Sequence, residues 1–134
     1  MSGPTYCIDS DIIIWHLRNG ARKAPVTAHL VKLVGAGALA CSTISIAEVE
    51  QGVRRGEEDR TRAFLRSLDA RGVDRAVAER AGEIVGDLRS RGITMGLADA
   101  LIAATCLVHD LTLVTLNVAD FEKVPELVLE QVPA

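Results

Sequence analysis

The chain has 134 residues and 14.3 kDa, 49% apolar and 25% charged, which suits one folded core and excludes both a disordered chain and a fibrous repeat. Fifteen basic against eighteen acidic residues give a net charge of −3, arguing against a protein that holds nucleic acid on a broad positive face. No apolar run approaches the ~18 residues that crossing a bilayer requires, and the opening MSGPTYCIDSD meets acids too soon for a secretory leader, so a cytoplasmic protein without membrane association is expected.

Apolar segments alternate with short turn signals along the chain. Tyr6–Ile8 reads as a short strand ending at Asp9, and residues 12–18 as a helix capped by Ser10 or Asp11 and stopped at Asn19-Gly20. Pro25 suits the first position of a second helix, in which Val26, Leu30, Leu33 and Val34 recur at helical spacing; residues 38–42 read as a second strand. A further helix is expected from about Ser45. Residues 57–70 carry Phe64, Leu65 and Leu68 on one side of a charged stretch and read as an amphipathic helix flapping over the core. Asp74 caps a longer helix on which Val77, Ala81, Ile84, Val85 and Leu88 share a face, closed by Gly92. Residues 97–108 read as a buried helix, 111–116 as a central strand and 127–132 as an edge strand. Helices separating short, continuously apolar strands predict an α/β fold on a short, mostly parallel central sheet flanked by helices.

Ligands of such a sheet sit beyond the carboxyl ends of its strands, so the polar residues that follow each strand matter most. They are acidic. Asp9 and Asp11 follow the first strand, Glu48 lies in the helix after the second, and Asn117 and Asp120 follow the strand at 111–116. Asp99 is the only charge in residues 95–108, a stretch too apolar to face water, where an unpaired carboxylate is costly. If these groups converge, their mutual repulsion calls for a cation, and hard oxygen ligands select Mg²⁺ or Mn²⁺. Each has a plainer reading as well. Asp9 and Asp11 fit helix caps, and Ser45 with Glu48 fits a capping box. Asp99 fits a partner of backbone or a neighbouring Arg, and Asn117 and Asp120 fit turn residues. Cys7, Cys41 and Cys106, without CxxC spacing, are expected as buried thiols, and Trp15 as core. His16, His29 and His109 lack partners at ligand spacing and are expected at helix surfaces or ends.

Taken in order, YCIDSDIII, STISIAEVEQG, LADALIAATCL and LVTLNVADF resemble the PIN-domain family, specifically the VapC-type toxins of bacterial toxin–antitoxin pairs, from about Tyr6 to Leu129. The resemblance implies a single PIN-like domain over 1–134 and a metal-dependent endoribonuclease. Asp9, Glu48 and Asp99 would be its catalytic, metal-binding carboxylates, with Mg²⁺ or Mn²⁺ as cofactor. Among relatives the fourth acid stands either where this chain has Asn117 or at the later Asp of T-x-N-x-x-D-F, so Asp120 is carried over with Asn117 as its neighbour. Thr115 resembles the family's hydroxyl beside the metal, and Asp11 a supporting contact. The resemblance further implies an RNA substrate, a homodimer, and a cognate VapB-type antitoxin that plugs the acidic cleft.

Two other readings stay open on sequence alone. Asp9-Ser10-Asp11 after a strand also resembles the D-x-D of haloacid-dehalogenase-type phosphatases, although none of Lys23, Lys32 and Lys123 is clearly placed for phosphate. Asn117 in place of an acid motivates a catalytically silent module that only binds RNA or a partner. Arg54, Arg55, Arg60, Arg62 and Arg66 suit RNA contacts or a solvated helix face.

Overall fold

The computed structural model describes residues 5–35 and 37–133; the leader expectation for the first four residues and the outer limits of the 1–134 span fall outside them. Five strands, β1 (Tyr6–Ile8), β2 (Leu39–Ser42), β3 (Asp69–Arg71), β4 (Thr112–Thr115) and β5 (Leu129–Gln131), pair in parallel in the order β3-β2-β1-β4-β5. The helices are α1 (Ser10–Leu17), α2 (Lys23–Val34), α3 (Thr43–Gln51), α4 (Glu58–Arg66), α5 (Arg75–Ser90), α6 (Leu97–His109) and α7 (Val118–Phe121).

The strands are short and apolar because both faces of the sheet are covered. Successive side chains point to opposite faces, and the core divides accordingly. Cys7, Ala40 and Leu113 pack with α5, α6 and Phe121 of α7, whereas Ile8, Leu39, Cys41 and Val114 pack with α1, α2, Val49 of α3 and Leu65 of α4. All three cysteines are free and buried, as expected. Among the described residues no helix is long and apolar enough to cross a membrane.

Several boundaries differ from expectation. The cap of α1 is Asp9, whose carboxylate accepts from the Ser10 N–H, so the helix starts at Ser10. Helix α2 begins before Pro25, which sits third in the helix, still in the first turn where its missing N–H has no helical partner. Ser42, not Ser45, caps α3 by accepting from the Ile44 N–H, and Ser45 lies buried inside the helix. Chain 57–70 is not one helix: α4 stops at Arg66, and Asp69–Arg71 joins the sheet edge beside β2. Rather than flapping over the core, α4 inserts Thr61 and Leu65 into it. Trp15 is half-buried beneath Arg22, and His29, expected at a surface, is buried against Glu130.

Candidate metal centre

In this strand order the chain turns one way from β1 to β2 and the other way to β4, so the crevice between the carboxyl ends of β1 and β4 is the switch point where such sheets bind ligands. Asp9 leaves β1 there, and Asn117 leaves β4. Asp9 is only 5% exposed, and both its oxygens are engaged. Oδ1 accepts from the Ser10 N–H at 2.8 Å, and Oδ2 accepts from the Thr115 hydroxyl at 2.8 Å. The Ser10 hydroxyl also donates to Glu48 Oε1 at 3.0 Å, so one serine joins the acids that follow β1 and β2. Thr115 Oγ1 in turn accepts the Asn117 backbone N–H at 2.9 Å, and Asn117 Nδ2 donates to Asp120 Oδ2 at 2.8 Å. A continuous polar chain thus runs from Glu48 through Ser10, Asp9, Thr115 and Asn117 to Asp120.

Asp99, on the first turn of α6, faces the same cluster: burial first, then the charges of Glu48 and Asp120, hold its carboxyl above the ordinary range, with Lys123 opposing. Burial and the neighbouring Asp11 push Asp9 up to about 7, against the stabilising hydrogen bonds of Thr115 and Ser10, and Asp99 adds to the rise. Asp11 is likewise raised by burial, eased by hydrogen bonds and by the charge of Arg22. Its Oδ2 accepts the Leu116 N–H at 3.2 Å, while Oδ1 is buried with no partner among the described residues.

These observations suit a hard divalent cation: the donors are oxygens, their repulsion is only partly offset by Lys123 and Arg22, and one buried carboxylate oxygen is orphaned. Among the described residues no three His, Cys, Asp or Glu groups already stand as a metal-holding set, so the acids form an electrostatic cluster rather than a closed cage.

The cap readings hold only in part. Asp9 caps α1 and also faces the cluster. Glu48, in the second turn of α3, turns to Ser10 instead of closing a capping box. Sequence reasoning missed Ser10, Lys123 and Arg22. Lys123 lies 3.6 Å from Asp120 Oδ1, so a lysine does stand beside the acids. A small hydroxyl between two acids in D-S-D was the available signal for Ser10; Lys123 and Arg22 had none. Of the arginines considered for RNA, Arg60 bonds the Leu17 carbonyl and Arg62 approaches Glu50 at 3.6 Å, so both serve the fold.

The PIN domain profile matches residues 6–127. Ribonuclease VapC10 of Mycobacterium tuberculosis is 39% identical over 117 residues, covering 85% of this chain and 84% of that protein. In solved structures, VapBC2 from Rickettsia felis, bound to a DNA fragment from the promoter, gives a TM-score of 0.82 at 25% identity over 95% of this chain and 98% of that one. A toxin–antitoxin complex from Klebsiella pneumoniae gives 0.74 at 29% identity, covering 92% and 96%. This chain belongs to the PIN-domain family, in its VapC-type branch.

Proposed function

We propose that the protein is an endoribonuclease, the toxin of a VapBC-type pair, hydrolysing RNA phosphodiester bonds with Mg²⁺ or Mn²⁺ held by Asp9, Glu48, Asp99 and Asp120. The observation that carries this reading is the hydrogen-bonded run from Glu48 to Asp120 across the switch point, with Asp99 facing it. A bound divalent ion supplies Lewis acidity toward phosphate oxygens and lowers the pKa of its water. The chain's residues do the rest. Thr115 and Ser10 fix the Asp9 carboxylate, Ser10 sets Glu48 beside it, and Asn117 orients Asp120. Asp11 braces the start of the loop after β4 through the Leu116 N–H. Lys123, beside Asp120 and donating to the Thr94 carbonyl, eases the negative charge around Asp99.

The named ribonuclease relative and the toxin–antitoxin complexes with this fold support an RNA substrate and a VapB-type antitoxin partner; a homodimer is part of the same proposal. Membership of the PIN family weighs against the phosphatase reading. The test is cleavage of a mixed RNA pool by the wild type and by Asp99→Ala, with Mg²⁺, with EDTA, and with Mg²⁺ restored, beside a calorimetric Mn²⁺ titration. Cleavage that needs the metal and Asp99 is expected. Metal-independent cleavage would refute the mechanism, and an inert wild type that binds no metal would establish the silent module.

A further inference from the structure

Lys123 follows α7 by two residues and is held from two sides. Its ammonium lies 3.6 Å from Asp120 Oδ1 and donates to the Thr94 backbone carbonyl at 3.1 Å. Phe121, two residues before it, and Val124, one after, are buried in the core, so the lysine stem springs from an anchored turn. Thr94 lies two residues before Gly96, the N-cap of α6, and Asp99 stands on the first turn of that helix. The lysine therefore joins the segment carrying Asp120 to the start of the helix carrying Asp99.

An ammonium in this place has the acids to neutralise, and not the neighbouring groove. Lys123 also lines the groove along α5, but the carboxylates there already have arginines: Glu83 and Glu126 pair with Arg80, and Asp87 pairs with Arg91. At the acid cluster the need is unmet. The Asp99 carboxyl, raised by burial and then by Glu48 and Asp120, is pulled back by the charge of Lys123. Both oxygens of Asp120 are engaged, Oδ1 by Lys123 and Oδ2 by the Asn117 amide. At Asp9, by contrast, it is hydrogen bonds from Thr115 and Ser10 that oppose the rise caused by burial and by Asp11. One side of the cluster thus has a cation built into the chain, and the other is left for a cation from solution.

The consequence is a matter of charge. Nucleases that use two divalent ions hold them ~3.5–4 Å apart, among carboxylates that share both. An ammonium fastened beside Asp120 and felt by Asp99 repels a second ion on that side, and at such short range the repulsion weakens its binding by about tenfold or more. We propose that Lys123 serves as the fixed cation of the Asp99 and Asp120 side and limits the site to one divalent ion per chain. This rests on the metal-dependent ribonuclease reading and adds to it the ion count and the residue that sets it.

The test counts bound Mn²⁺ from the electron paramagnetic resonance of the free ion, in titrations of the wild type and of three variants, with melting curves run beside them. The wild type should bind one ion per chain. Lys123→Met, which keeps the aliphatic stem and drops the charge, should take up a second ion at an affinity about tenfold or more above any the wild type shows for it. Lys123→Gln, neutral but still an N–H donor, should do the same, and it carries the test if Lys123→Met fails to fold. Lys123→Arg, which keeps the charge, should remain at one. The proposal is overturned by a wild type that binds two ions, by Lys123→Met and Lys123→Gln staying at one, or by Lys123→Arg taking two. Neutral variants that melt lower yet keep a count of one would make Lys123 a structural tether to Thr94 and nothing more. RNA cleavage in Mg²⁺ separates the two readings: a wild type with one ion and neutral variants with two, none of which cuts RNA, would overturn the ribonuclease reading and leave the ion count standing. A wild type that binds no ion overturns both.

Discussion

The Thr115 hydroxyl donates to Asp9 Oδ2 at 2.8 Å, fastening the end of β4 to the end of β1 although 106 residues separate the two in sequence. The same oxygen accepts the Asn117 N–H, so this one group sets both the innermost acid and the loop that carries Asp120. Thr115→Val keeps the shape and removes both hydrogen bonds. The variant should lose about 1–3 kcal/mol of stability, the cost of leaving a buried polar group short of its partner, and RNA cleavage should fall by about tenfold or more. Thr115→Ser should recover most of both. Urea unfolding and initial cleavage rates check this; a Val variant as active as the wild type would remove Thr115 from the site.

Asp9 gives a pH prediction with a definite sign. Its folded-state carboxyl, raised to about 7 by burial and by Asp11 and Asp99, stands above the ordinary value of 3.8. Below the ordinary value both folded and unfolded chains are protonated. Between the two values the unfolded chain ionises while the folded chain retains its proton, so stability falls as pH rises and the loss is complete above about 7. Asp11 and Asp99, also raised, act in the same direction. Metal-free protein should therefore melt higher near pH 5 than near pH 8, and Asp9→Asn should raise Tm at the alkaline end by several degrees. Mg²⁺ should restore stability to the wild type at alkaline pH and do little for the variant. Melting curves in EDTA and in Mg²⁺ across that range decide; a wild-type Tm that climbs with pH in EDTA would contradict the electrostatic account.

Asn117 and Asp120 allow the proposed fourth ligand to be separated from the residue that would position it. Because Asn117 Nδ2 donates to Asp120 Oδ2, Asn117→Ala should loosen Asp120 without removing a carboxylate, while Asp120→Ala removes one outright. The expected order is a partial loss of Mn²⁺ affinity and cleavage for Asn117→Ala and a much larger loss for Asp120→Ala. Calorimetry and cleavage rates give the comparison, and the reverse order would make Asn117 the ligand.

Much of this architecture is legible from local pattern. The helix at Arg75–Ser90 announces itself by an apolar stripe behind a capping Asp74, and Asp99 by being a lone charge in an apolar run. Strand β3 was hidden because Asp69-Ala70-Arg71 carries neither alternation nor β-branched residues; its place is fixed by pairing with β2, which is a tertiary effect. The short helix α7 was read as a turn since four residues are too few to show a period. In the site, acids that follow strands could be read from topology alone. Ser10, Arg22 and Lys123 could not, because what gives them meaning is a contact across the sheet end.

The edge strand β5, which places Gln131 beside Thr115, is itself held by a long-range contact: His29 on α2 bonds Glu130 through Nε2, with the imidazole buried beneath the strand. A buried ring nitrogen deprived of its partner is costly, whereas replacing both partners with apolar groups is nearly neutral. Glu130→Ala alone should therefore destabilise the fold by about 1–3 kcal/mol. Adding His29→Leu, which fills the same space without a polar atom, should return most of that loss, a non-additivity that a double-mutant cycle measures directly. If the two losses simply add, the pair does not couple α2 to β5, and the packing of Val26 and Val132 in the shared core must hold the strand instead.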